Sequence, residues 1–200
     1  LNVNFNTGLY YQTPALTTLG FKDSTNTYIN RENNLKYMRC AHIVGGLEYS
    51  SKNNARFTIE GFYKGYSQYP QSVRRGIALA NEGGDFGVVG NESVLSLSVG
   101  RSYGLELFAQ QKLFKGFYGL MAVTLFRSEF VNANKATFAP SNWDQRFIIN
   151  LTAGKKLKRN WELGAKFRLT GGRPFTPYDT ALSAITYIWD ITNQGQIDYS

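Results

Sequence analysis

The chain has 200 residues, of which 42% are apolar, 18% charged and 15% aromatic, and its formal net charge is +8. That is long enough for one domain with a core of its own. Mean hydropathy is −0.31, and no run of about 18 apolar residues occurs; this excludes a transmembrane helix but not a membrane barrel, whose alternating strands look ordinary to a hydropathy window.

The sequence starts in a strand, residues 1–11, with Leu1, Val3, Phe5 and Leu9 opposite Asn2, Asn4 and Asn6. It has no basic-apolar-small leader, so it reads as a mature protein or as part of a longer one. The next strand, 41–50, sets Ile43, Leu47 and Tyr49 against His42 and Glu48. In 55–66, Phe57, Ile59, Gly61 and Tyr63 share one face while Arg56, Thr58, Glu60 and Lys64 share the other. In 101–112, Tyr103, Leu105, Leu107 and Ala109 oppose Ser102, Glu106 and Gln110. The segment 117–128 is apolar on both faces, and its pattern assigns neither. In 146–157, Phe147, Ile149, Leu151 and Ala153 oppose Arg146, Asn150 and Thr152. The seventh, 161–170, sets Leu163, Ala165, Phe167 and Leu169 against Glu162, Lys166 and Arg168. A period of two is a strand with two different faces. A further stretch, 92–99, reads as a loop hairpin or as an extension of the fourth strand.

Three features favour a membrane barrel over a soluble sheet. Most segments reach the 9–11 residues that cross a bilayer at a barrel's tilt, against about 5–6 for soluble strands. Charges avoid the apolar faces except near strand ends, as at Arg101 and Arg127. Connections alternate long and short: residues 12–40, 67–100, 129–145 and 171–200 are long, whereas "SKNN", "KLFKG" and "LKRN" are short. Outer-membrane barrels alternate in this way, with short periplasmic turns and long outer loops. Aromatics gather at both levels where interfaces fall: Tyr49, Phe57, Phe117 and Trp161 by the short turns, and Tyr10, Tyr11, Tyr63, Tyr66, Phe126 and Phe130 by the long loops. Seven strands do not close a barrel of the usual even number, so a fragment of a larger barrel is expected.

Residue chemistry points away from catalysis. Cys40 has no disulfide partner in the chain, and a single histidine, His42, leaves metal clusters and triads without their parts. The glycine-rich stretch 83–93 matches neither phosphate-loop nor dinucleotide spacing and reads as a turn-rich loop. Asn91-Glu92-Ser93 and Asn150-Leu151-Thr152 match a glycosylation triplet to which a bacterial barrel gives no meaning. Asp144 and Glu162 are too weakly linked to form an acid pair. The charge of +8 raises nucleic acid as a partner, but the basic residues look scattered, and the densest cluster, 155–159, falls at a tight turn. No enzyme activity, no cofactor, no metal site and no nucleic-acid partner are expected.

"YGLELFAQQKL", "SNWDQRFIINLTAGKKL", "NWELGAKFRLTGGRPFTPYD" and "RFTIEGFYKGYSQYP" together resemble the C-terminal barrel half of TonB-dependent outer-membrane receptors. The nearest are Bacteroidetes receptors with a carboxypeptidase-regulatory-like N-terminal domain. The pattern is carried by Gly104-Leu105-Glu106, Trp143-Asp144-Gln145-Arg146, Trp161-Glu162-Leu163-Gly164 and Gly172-Arg173-Pro174-Phe175-Thr176-Pro177; Phe147 stands where the family has histidine. The resemblance implies residues 1–200 of an all-β, antiparallel transmembrane barrel of about twenty-two strands, with the plug domain and final strand outside this chain. It implies active uptake of an external nutrient across the Gram-negative outer membrane. The implied partners are outer-membrane lipid, the receptor's own N-terminal plug, TonB in the periplasm and, in some receptors, a surface substrate-binding lipoprotein. Expected lumen-facing residues are Glu60, Lys64, Glu106, Asn150, Glu162, Lys166 and Arg168. Candidate substrate contacts on the long loops are Tyr69, Arg74, Arg75, Trp143, Asp144 and Arg173. The rival readings are a passive porin or small barrel adhesin, and a soluble carbohydrate-binding β-domain. An upstream plug separates the first, and a need for detergent the second.

Overall fold

Segments that alternate in this way bury little by themselves, so each pairs with its neighbour in sequence. The computed structural model describes residues 1–82, 90–133, 137–174 and 180–185. The strands are β1 (Asn2–Gln12), β2 (Met38–Ser50), β3 (Ala55–Ser72), β4 (Val94–Phe114), β5 (Phe117–Val131), β6 (Phe138–Pro140), β7 (Phe147–Lys156) and β8 (Glu162–Thr170). Two four-residue helices, α1 (Leu16–Leu19) and α2 (Ile29–Glu32), lie between β1 and β2, and a helical turn spans Thr180–Ser183. All strands form one antiparallel sheet in the order β1-β2-β3-β4-β5-β7-β8, with β6 pairing the far end of β5.

The hairpins are tight because their turns hold left-handed residues. Lys115 (φ 51°) and Gly116 (φ 79°) form a two-residue turn between the paired Phe114 and Phe117, the turn that matches the twist of paired strands. Arg159 and Asn160 (φ 61° and 60°) turn β7 into β8, closed by the Leu157 amide donating to the Trp161 carbonyl at 2.7 Å.

Register sorts the side chains into rows. Val3, Leu47, Ile59, Leu107, Val123, Ile149 and Leu169 stand directly opposite one another from β1 to β8. A second row runs Phe5, Gly45, Gly61, Leu105, Leu125 and Phe147. Nothing in the described chain covers this face: Leu47 is 45% exposed, Ile59 41% and Phe167 54%. The other face carries Glu60, Lys64, Glu106, Asn150, Glu162, Lys166 and Arg168, all on one side by register. It is crossed by polar bonds: Asn4 donates to Glu60 at 2.8 Å and Tyr118 to Glu162 at 2.7 Å. The Asn4 bond passes over Gly46, where a Cβ would sit 2.7 Å from the Asn4 side-chain oxygen.

The buried apolar residues are Ile77, Ala78, Leu79, Ala80, Val94 and Phe130. They lie at the long-connection end, where the connections fold into a cap. Asn30, fully buried, donates to the Thr18 and Glu92 carbonyls at 2.7 and 2.8 Å and accepts from the Val94 amide at 2.8 Å. Asn132 accepts from the Ala78 amide and the Asn81 side chain, both at 2.9 Å, and the Asn142 amide donates to the Ala80 carbonyl at 2.9 Å.

Several expectations are revised. Among the described residues there are eight strands, not seven, because β6 forms inside the connection expected at 129–145. Hydrogen bonding carries β3 and β4 past the ends that pattern suggested, so the loop expected at 67–100 shrinks to 73–93, and the stretch 92–99 largely extends β4. The faces of β5 are settled by its partners: Met121, Val123 and Leu125 join the apolar rows, while Ala122 and Thr124 join the polar ones. Of the aromatics expected in the girdle by the long loops, Tyr10, Tyr66, Phe126 and Phe130 stand on the polar face, and Tyr11 and Tyr63 on the apolar one. The strand-like runs hide that parity, because aromatics favour strands on either face. Most of the connection expected at 171–200 lies outside the described residues.

Replacing Asn30 with alanine strands the Glu92 carbonyl and the Val94 amide inside the cap and leaves the Thr18 carbonyl only its longer bond from the Phe21 amide, at 3.4 Å. The expected loss is about 3 kcal/mol of stability, at a few kcal/mol for unsatisfied buried groups, measured by denaturant unfolding of the full-length protein. A loss below about 0.5 kcal/mol, the usual scale of a surface substitution, contradicts the clasp.

Candidate functional site

Under the cap, on the polar face, lies a recess of about 750 Å³. Its floor comes from strand positions that share a parity with Lys64: Tyr66 on β3, Ser102 on β4, and Phe126, Ser128 and Phe130 on β5. Its walls come from the end of β1 at Gln12 and from the connections: Thr13 to Leu16, Leu79 and Trp143. Phe130 is the centre, with ring centroids 5.3 Å from Tyr66 and 4.6 Å from Tyr69. Gly100, directly opposite on β4, leaves the space in which the Phe130 ring lies flat against the sheet.

Among the described residues, the lining holds no lysine, arginine, histidine, aspartate or glutamate. Its polar side-chain groups are the hydroxyls of Tyr66, Tyr69, Thr13, Thr18, Ser102 and Ser128, the amide of Gln12 and the indole N–H of Trp143. Such a surface stacks on flat apolar groups and hydrogen-bonds neutral ones, the usual make-up of a small-molecule site. Among the described residues no group of three or more His, Cys, Asp and Glu is arranged to hold a metal.

The sequence-derived contacts divide. Tyr69 and Trp143 line the recess, and Trp143 is 52% exposed. Arg75 does not line it and is held in a clasp with Glu82, at 2.6 Å, and with Glu92, which also accepts from Ser72. Burial pushes the Glu82 carboxyl above its ordinary range, and Arg75 draws it partly back. Arg74 is exposed near this clasp. Asp144 is 2% exposed and committed: it pairs with Arg127 at 3.1 Å and accepts from the Ser128 amide at 3.1 Å. Its role is to pin the connection before β7 onto β5. Arg173 is exposed just past β8, while Phe175, Thr176 and Pro177 lie outside the described residues.

Sequence reasoning missed Tyr66, Phe126, Phe130, Ser102 and Ser128. The signal was parity: Tyr66 is in phase with Glu60 and Lys64, not with Phe57 and Ile59. Comparison with known proteins brings no relative to this geometry: no family model, curated protein or solved structure matches the chain.

Phe130 and Trp143 separate structure from contact. Phe130→Ala is expected to cost about 3–5 kcal/mol, the usual range for a buried aromatic. Trp143→Ala, half exposed, should stay within about 1 kcal/mol. Urea unfolding of the two variants checks this, and equal losses would remove Phe130 from the centre of the core.

Proposed function

We propose that the sheet is a sector of an outer-membrane β-barrel, and that the barrel belongs to a TonB-dependent receptor taking up an external nutrient. The single observation that carries the barrel is the set of unbroken apolar rows on a face that no other part of the described chain covers. A sheet has to bury such a face against something. A soluble sandwich would supply a second sheet, and lipid supplies the same cover without one.

Strand length supports this reading. β4 has 21 residues, about 70 Å at ~3.3 Å per residue, well beyond what a bilayer needs. The surplus lies at the long-connection end and lifts the cap clear of the hydrocarbon. β1 pairs only with β2, and β8 only with β7, among the described residues. Each leaves an open edge that further strands would continue, as a larger barrel requires. Receptor rather than porin rests on the sequence resemblance. The neutral recess, opening at the outer end of the wet face, suits capture of a nutrient.

Ile59 and Glu60 test the reading, being neighbours that look opposite ways. Ile59→Arg is expected to destabilise the folded protein by roughly 2–4 kcal/mol in bilayers, the usual cost of a cation facing lipid at mid-membrane. Glu60→Gln should change little. Reversible unfolding of the full-length protein from vesicles measures both, and a larger effect at Glu60 would sink the barrel.

A further inference from the structure

We infer that the short-turn rim of the sheet binds the headgroups of an anionic phospholipid leaflet. The inference rests on the barrel reading and concerns a surface that reading leaves unexplained.

In sequence the cations look dispersed, but the fold collects them. The first short turn holds Lys52, the second Lys112 and Lys115, and the third Lys155, Lys156, Lys158 and Arg159. All seven side chains are exposed, and no acidic residue falls within 51–54, 112–116 or 155–160. None has an ion-pair partner among the described residues. At the other end, among the described residues of 13–37, 73–93 and 132–146, six cations are offset by five carboxylates. The net charge of +8 is therefore largely a property of one rim.

The three turns form one continuous edge. The Lys112 amide donates to the Asn54 carbonyl at 3.1 Å, which ties the first turn to the second. The Lys156 amide donates to the Gly116 carbonyl at 2.7 Å, which ties the second to the third. Beside the cations stands an exposed apolar belt. Tyr49, Phe57, Phe117 and Leu163 lie on the apolar face by register, and Trp161 adjoins them, 72% exposed. Rings at this level and flexible amines just past them match a membrane interface, with the apolar part in the acyl boundary and the charge among headgroups. Lys112, Lys155 and Lys156 lie within the ends of their strands, so the cations sit within about one screening length, ~8 Å, of the headgroups. An acidic protein would meet the charges but leave the belt unused. An anionic lipid leaflet uses both.

The test uses full-length protein in phosphatidylcholine vesicles and in the same vesicles with phosphatidylglycerol added. The urea midpoint should rise with phosphatidylglycerol, and the rise should shrink at high salt, a readout that needs no variant. In the variant Lys155→Gln/Lys156→Gln/Lys158→Gln/Arg159→Gln the rise should fall by more than half. In Lys22→Gln/Arg31→Gln/Lys36→Gln/Arg74→Gln, from the long connections, it should persist. No rise in the wild-type protein, or an equal rise in both variants, overturns the lipid site and leaves the rim to an acidic protein or to solvent. Failure to insert even into phosphatidylcholine would instead bring down the barrel reading, and this inference with it.

Discussion

A sheet with one apolar face and, among the described residues, no second layer is the constraint on which everything else in this molecule depends. Fully burying an aliphatic side chain is worth about 1.5–3 kcal/mol. The rows through Leu47, Ile59, Leu107, Val123 and Ile149 leave that stabilisation to whatever covers them. What the chain supplies for itself is the ladder of backbone bonds between strands and a small core displaced to one end. The cap follows from the same constraint. With no layer to pack on, the long connections pack on each other and on the overhanging ends of β3, β4 and β5, with Phe130 as the common surface.

The polar face is wet yet ordered. Asn4 reaches Glu60 across the whole width of β2 because Gly46 leaves the gap. Arg56 pairs with Glu48 at 2.6 Å and stands over the Phe108 ring. Exposed pairs of this kind contribute little stability each, but they fix which way long side chains lean. Near the cap this face changes character. Charges give way to aromatic rings and hydroxyls, so the recess sits at one end of an otherwise charged sheet face.

Much of the fold was legible in the sequence because period-two alternation is a local property. Seven of the strands, the two faces of six of them and the three short turns could be read from neighbouring residues alone. Strand ends were less legible. Residues such as Ser96 and Ser98 carry no apolar signal, and only pairing with β3 makes them part of β4. The faces of β5 had to wait for partners, since a segment apolar on both sides takes its register from its neighbours. The recess was half legible. Tyr69 and Trp143 stand out as aromatics in connections, whereas Phe130 looked like one more strand aromatic. Asp144 shows the converse error: a charged loop residue suggested contact with a ligand, and the fold spends it on Arg127 and the Ser128 amide. The charged rim was hidden for a simpler reason, since its members are up to about a hundred positions apart and become neighbours only once consecutive hairpins stack.

The clasp that joins the connections also bears on the order in which the chain assembles. Each short-turn hairpin closes over a handful of residues, so its entropic cost is small and it can form alone. The bonds from Asn30 to Val94, from Ala78 to Asn132 and from Asn81 to Phe130 span 64, 54 and 49 residues, and the cost of closing a loop grows with its length. Contacts so distant are rewarded only after the strands between them have paired. The cap is therefore the last part to form, completed on a sheet already standing. If the sheet is the barrel sector proposed above, its hairpins would enter a bilayer one after another while the cap is still unformed outside.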